Sequence, residues 1–287
     1  VEQWPVGSGK HRQLWSGSVA IANPFWAEFS HDRTLRTLAF ARESASEPGR
    51  DHDSLEWTRL TEFHREHAQI MRTQCERVTW KGAEGWEIDG YLLLPDGYLE
   101  GQRYPLFTWV HGGPTSLYAP RYWNSMPFGY YASKGFAVFL PNPRGSTGRG
   151  LTFAEANVGD MGGQDFADIM AGIERLIESG LADPDRLAIG GWSYGGYMTA
   201  WAVTQTDRFK CAVMGAGICN WLSFHGVSKL CEWDRVHYNA NPYELHATFE
   251  RFSPLTHITN VRTPTLIIHG EKDWDVPPSQ GYEFFRA

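Results

Sequence analysis

The stretch Gly191-Trp192-Ser193-Tyr194-Gly195-Gly196 constrains the fold of this 287-residue chain more than any other. It has the Gly-x-Ser-x-Gly form of a strand-to-helix turn so tight that side chains two before and two after the serine would strike the backbone. Glycine, lacking Cβ, fits both places. The flanks agree: Arg186-Leu187-Ala188-Ile189-Gly190 reads as a short buried strand, and Gly196-Tyr197-Met198-Thr199-Ala200-Trp201-Ala202-Val203 reads as a helix. A turn of this kind presents a serine hydroxyl as a nucleophile, so Ser193 is the candidate acylation centre.

The chain around this turn alternates buried strands with helices. Apolar runs at Leu106 to Val110, Phe136 to Leu140, Leu187 to Ile189, Cys211 to Met214 and Thr265 to Ile268 are the expected core strands of a mostly parallel sheet with helices on both faces, an α/β fold. From Gln164 to Glu178 the residues Phe166, Ile169, Met170, Ile173, Leu176 and Ile177 fall on one helical face, which places that helix against the sheet beside the strand before Ser193. Residues Glu84 to Pro95 alternate like an antiparallel entry hairpin. Residues 1–75 differ, with short β-like runs such as Ser18 to Ile21 and Leu35 to Ala41 separated by Asn-Pro, His-Asp and Pro-Gly turns, the texture of antiparallel hairpins.

Composition narrows the partners. A net charge of -7 and the lack of a clustered Lys/Arg stripe argue against a nucleic-acid partner. No apolar run approaches the ~20 residues that cross a bilayer, so membrane insertion is not expected. Cys75, Cys211, Cys219 and Cys231 have no CxxC spacing and read as free, mostly buried thiols of a reducing, cytoplasmic setting. No His-Glu-x-x-His pattern and no close Cys/His cluster occurs, so neither metal nor other cofactor is expected.

A serine nucleophile needs a base, a carboxylate that orients the base, and donors for the oxyanion. In elbow-type folds the carboxylate follows a later strand. His269-Gly270-Glu271-Lys272-Asp273-Trp274-Asp275-Val276-Pro277 lies directly after the run ending at Ile268, with Asp273 the first candidate and Asp275 the second. The amide of Tyr194 is the expected first oxyanion donor. His111-Gly112-Gly113-Pro114, directly after Val110, offers the second, from Gly113 or else Gly112.

These motifs, with Asn142-Pro143-Arg144-Gly145-Ser146-Thr147-Gly148-Arg149-Gly150 and Asp183-Pro184-Asp185-Arg186, resemble the prolyl oligopeptidase family of serine peptidases. Within it the acylaminoacyl-peptidase and dipeptidyl-peptidase-like branch is the nearest. The resemblance runs from about Glu76 to the last residue. It implies an α/β-hydrolase catalytic domain at 76–287, preceded at 1–75 by the end of a β-propeller and its linker. It favours Asp273 through an Asp-x-x-Val motif ending at Val276. It further implies an apolar specificity pocket of Tyr194, Ile218, Trp221, Phe224 and Val276, and a short peptide or acyl-peptide as substrate. Where several relatives carry a tyrosine that helps hold the oxyanion this chain has His111, which leaves the second donor as backbone amide, histidine side chain or both. A homo-oligomer is one option for the assembly.

The family's base lies roughly thirty residues past its aspartate, in the chain order Ser, Asp, His. It is therefore expected beyond Ala287, after a further strand and helix, in a longer protein of which this chain is an internal piece. Without it the 287-residue piece is expected to be nearly inert. Among the 11 histidines, His111, His225, His237, His246, His257 and His269 are expected in surface or supporting roles. Two other readings share the elbow: a carboxylesterase of the same fold, and a non-catalytic α/β-hydrolase-like binding module.

Overall fold

The computed structural model describes residues 74–119 and 127–287 and, within residues 1–73, the backbone of six two-residue strands. The chain divides into two compact units, Val1–Arg72 with Ala119–Met126 and Thr73–Tyr118 with Pro127–Ala287. In the first unit Glu2–Gln3 pairs antiparallel with Arg12–Gln13, Ala20–Ile21 with Arg42–Glu43, and Ser30–His31 with Leu38–Ala39. The β-like runs at Ser18 to Ile21 and Leu35 to Ala41 thus each contain strand residues. The rest of the propeller-end reading lies outside the described residues.

In the second unit the described residues form one mixed sheet of seven strands, β1 (Cys75–Lys81), β2 (Glu87–Leu93), β3 (Tyr104–Val110), β4 (Ala137–Asn142), β5 (Ala182–Trp192), β6 (Phe209–Gly215) and β7 (Thr265–Ile268). Their order is β7-β6-β5-β3-β4-β2-β1. The five strands from β3 to β7 run parallel to one another, and β2 runs against both β1 and β4. The entry hairpin expected from alternation is this β1–β2 pair, in register at Trp80 and Ile88.

Eight helices are described: α1 (Phe128–Ser133), α2 (Leu151–Ala154), α3 (Gln164–Glu178), α4 (Tyr194–Gln205), α5 (Trp221–Val227), α6 (Trp233–Tyr238), α7 (His246–Arg251) and α8 (Ser279–Arg286). Strand alternation sorts them onto two faces. Phe107 and Trp109 of β3 meet Tyr131 and Phe128 of α1, with ring centroids 4.8 and 6.2 Å apart. Leu106 and Val110 point the other way, into a core shared with Ile169 and Ile173 of α3 and Met198 and Ala202 of α4. The α3 face read from the sequence is the one that packs, with Ile169, Ile173 and Leu176 fully buried and Phe166, Met170 and Ile177 partly so. In α4 every residue from Tyr194 to Thr204 is buried, which is why its sequence shows no polar stripe.

Two expectations need correction. The run at Thr265 to Ile268 is a strand, but Leu266 and Ile268 are exposed, because β7 stands at the sheet edge among the described residues. Of the four free thiols only Cys219 is buried; Cys211 is exposed, and Cys75 and Cys231 are intermediate. No helix among the described residues is long and apolar enough to cross a membrane.

Candidate active site

Between β5 and α4 sits Ser193, at φ 58° and ψ −119°, a conformation that opposes a residue bearing Cβ. Its surroundings hold it there. The Ser193 N–H donates to the Gly215 carbonyl at the end of β6, and its own carbonyl accepts from the Tyr197 N–H, both at 2.9 Å. A Cβ on Gly195 would stand 2.0 Å from the Val110 carbonyl oxygen, and one on Gly191 would stand 2.4 Å from that of Gly195. Neither position admits a side chain while the elbow keeps its shape.

The loop after β3 lies against this serine. A Cβ on Gly112 would come within 3.8 Å of Ser193 Oγ. Among the described residues the N–H groups of Gly112 and Gly113 have no acceptor. The Tyr194 N–H, at the first position of α4, has no intrahelical acceptor either. The His111 ring is committed elsewhere: Nδ1 lies 2.7 Å from the Gly112 carbonyl and Nε2 lies 2.9 Å from Ser146 Oγ. Burial lowers its pKa to about 4, so the ring is neutral at pH 7. The donors left free among the described residues are backbone amides.

Asp273 follows β7 in a tight turn. Its Oδ1 accepts the N–H groups of Asp275 and Val276, both at 3.0 Å, and its side chain remains partly exposed. That arrangement fixes the carboxylate; Oδ2 lies 3.9 Å from His269 Nε2, beyond hydrogen-bond distance, and so has room for a closer donor. Asp275 differs: its Oδ1 pairs with Lys229 Nζ at 2.7 Å, with both side chains more than half exposed. The acid loop is also tied to the segment after α5, since Ser228 Oγ donates to the Asp275 carbonyl at 2.6 Å and the Lys229 N–H to the Trp274 carbonyl at 3.0 Å. Because β5, β6 and β7 are parallel neighbours, Ser193 and Asp273 both follow the carboxyl ends of strands that lie roughly 10 Å apart.

Ile218, Trp221, Phe224 and Val276 are all buried in one core. Trp221 packs its ring on those of Tyr197 at 4.8 Å, Phe224 at 5.6 Å and Trp233 at 5.8 Å. Tyr194 belongs to the same cluster, but its far end is polar, with Oη donating to Asp165 Oδ2 at 2.5 Å. Four further described histidines have fixed partners too. His225 Nδ1 lies 2.9 Å from buried Asp234, His237 stacks on Trp233 at 3.9 Å, His257 Nε2 meets the Arg251 carbonyl at 2.8 Å, and His269 Nε2 meets the Val276 carbonyl at 2.7 Å.

Asp165 is absent from the residues that sequence reasoning singles out. It stands in the first turn of α3, fully buried, where an acid ordinarily reads as a solvated charge favoured by the helix dipole. Besides Tyr194 it accepts from the N–H groups of Gly162 and Phe166 at 2.9 and 2.8 Å and from Asn157 Nδ2 at 3.3 Å. Burial still raises its pKa to about 6 against the pull of those donors. Among the described residues no group of three or more His, Cys, Asp or Glu is placed to hold a metal ion.

Comparison with known proteins follows the same lines. The chain is 40% identical over 231 residues to the uncharacterized peptidase YuxL of Bacillus subtilis, covering 78% of this chain and 34% of that protein. It is 35% identical over 196 residues to the acylamino-acid-releasing enzyme of Arabidopsis thaliana, covering 65% of this chain and 25% of that one. The chain thus spans about a third or less of the length of these relatives. Among solved structures, the acylaminoacyl peptidase of Pyrococcus horikoshii superposes with a TM-score of 0.84 at 32% identity, over 98% of this chain and 44% of that one. An acylaminoacyl peptidase in complex with Z-Gly-Gly-Phe-chloromethyl ketone superposes with a TM-score of 0.85, also at 32% identity, over 99% of this chain and 44% of that one. The family described as "Prolyl oligopeptidase family" matches residues 123–287, more than half of the chain, and to that family this protein belongs.

Proposed function

We propose that this chain carries the catalytic domain of a serine peptidase that hydrolyses short peptides, of acylaminoacyl- or dipeptidyl-peptidase type, through an acyl-enzyme at Ser193. The observation that carries the reading is the elbow itself: a serine at φ 58° between β5 and α4, beside amides that have no acceptor among the described residues. In this scheme Ser193 Oγ attacks the scissile carbonyl carbon and its proton passes to an imidazole. The Tyr194 and Gly113 N–H groups receive the oxyanion. The imidazole then protonates the leaving amine, and water releases the acyl group by the reverse route. Asp273, with Oδ1 pinned by two amides, offers Oδ2 to the imidazole N–H.

The imidazole of this scheme is not one of the described rings near the site, which have other partners: His111 meets Ser146, His225 meets Asp234, and His269 Nε2, 3.9 Å from Asp273 Oδ2, bonds to the Val276 carbonyl at 2.7 Å. The buried cluster of Ile218, Trp221, Phe224 and Val276 supports an uncharged side chain at the cleavage site. The peptidic inhibitor bound by a structural relative supports a peptide as substrate. The antiparallel ladders before residue 44, with a match extending over 99% of the chain, support a β-propeller end within residues 1–75. The free thiols support a cytoplasmic setting.

The test uses the full-length protein, a fluorophosphonate probe, and a panel of acyl-peptide p-nitroanilides, dipeptidyl p-nitroanilides and p-nitrophenyl esters. Labelling lost in Ser193→Ala, with turnover of one peptide class, is the expected outcome. Absence of labelling would overturn the enzymatic reading, and turnover of esters alone would make the protein a carboxylesterase.

A further inference from the structure

The Tyr194 phenol and the Asp165 carboxylate meet at 2.5 Å inside the core, with both side chains buried. A short hydrogen bond from a neutral donor to a carboxylate is among the stronger polar contacts a protein makes, and it is directional. Its location matters because Tyr194 follows Ser193 directly and opens α4, so the residue whose ring is tethered is also the one whose N–H is the proposed oxyanion donor. The tether's other end is equally firm. Asp165 Oδ1 is held by two amides at the start of α3, and Asn157 supports Oδ2.

Among the described residues no cation pairs with this carboxylate. Tyr194, Tyr197, Tyr238 and Asp160 are the titratable groups with which it shares this region. Burial raises all three phenols well above their ordinary value, so Tyr194 remains the proton donor across the working pH range. An acid that only capped α3 would need neither deep burial nor a partner 29 residues away.

We infer that Asp165 is a positioning residue of the oxyanion site: through the Tyr194 phenol it anchors the start of α4 and holds the Tyr194 N–H where the tetrahedral oxyanion forms. The inference rests on the proposed acyl-enzyme at Ser193. Asp165 touches neither substrate nor the reacting atoms in this arrangement. Loss of the tether loosens a donor used most in the transition state, so turnover falls more than ground-state binding does.

The test is a double-mutant cycle on the full-length enzyme with Asp165→Asn, Tyr194→Phe and the pair. Each variant is assayed for kcat and KM on the best p-nitroanilide, and for Ki of a peptidyl trifluoromethyl ketone, whose hemiketal oxygen occupies the oxyanion site. Each single change is expected to lower kcat about 10- to 100-fold, with KM within about threefold and the ketone Ki rising in parallel. The pair is expected to be no worse than the poorer single variant, because both remove one tether. Multiplicative losses, or kcat and Ki within twofold of wild type in both single variants, would overturn the inference. If Asp165→Asn fails to fold, Tyr194→Phe alone decides it through kcat and the ketone. Fluorophosphonate labelling of the wild type stands apart: its absence defeats the acyl-enzyme reading, whereas a wild type that labels beside an unaffected Tyr194→Phe variant defeats only the tether.

Discussion

Ser193 combines a proposed chemical role with an awkward backbone, and the two can be separated by experiment. At φ 58° and ψ −119° its Cβ is strained, and its side chain makes no capping hydrogen bond to α4 that would offset the strain. Ser193→Ala removes the hydroxyl and keeps the Cβ. Ser193→Gly removes both. A residue with Cβ in so sparse a region costs about 1–3 kcal/mol, while glycine gives back about 0.5–1 kcal/mol through the freedom of the unfolded chain. The glycine variant should therefore be more stable than the alanine variant by about 1 kcal/mol. For a unit of this size that is roughly 2–4 °C in Tm. Calorimetry of the full-length protein, following the transition of the hydrolase unit, reads the difference directly, and neither variant should label with fluorophosphonate. At an unstrained position glycine would instead be the less stable of the two. A glycine variant that melts below the alanine variant would show that the elbow stores no strain at Ser193.

Other outcomes follow from the same geometry. Gly195→Ala places a methyl 2.0 Å from the Val110 carbonyl, and should cost more than about 3 kcal/mol and abolish probe labelling, as denaturant titration and labelling would reveal. Asp273→Asn should lower kcat by on the order of 10⁴, while Asp275→Asn, which breaks only an exposed ion pair with Lys229, should leave kcat within about twofold. Asp165, raised to about 6 in the fold, favours the folded state at low pH and loses that contribution as pH rises through about 6. His111, lowered to about 4, has the opposite slope, its contribution fading as pH falls from its unfolded value toward about 4. The stability difference between wild type and Asp165→Asn isolates the first effect, and should shift against wild type by up to about 3 kcal/mol between pH 4 and pH 7. A difference that stays flat with pH, by urea denaturation, would show that Asp165 has no raised pKa.

The parts of this molecule legible in its sequence are those set by neighbours along the chain. The elbow glycines, the one-sided apolar spacing of α3 and the alternation of β2 are local patterns with local causes. What stayed hidden depends on contacts made far along the chain. Asp165 and Asp168 sit in an otherwise ordinary amphipathic helix, and their burial follows from Tyr194 and Arg144, 29 and 24 residues away. The exposure of Leu266 and Ile268 depends on sheet order, which an apolar run does not encode. His111 looked available for the oxyanion because its motif places it beside the site; only Ser146, brought in by a separate loop, shows that its ring is occupied.

The bonds that join Ser228 and Lys229 to Trp274 and Asp275 give the acid turn a mechanical companion. Asp275 donates its N–H to Asp273 and, through its carbonyl, is gripped by Ser228, so a pull on the stretch between α5 and α6 is transmitted to the carboxylate within two links. A displacement of that stretch would therefore move the acid turn with it, through two hydrogen bonds and one surface ion pair.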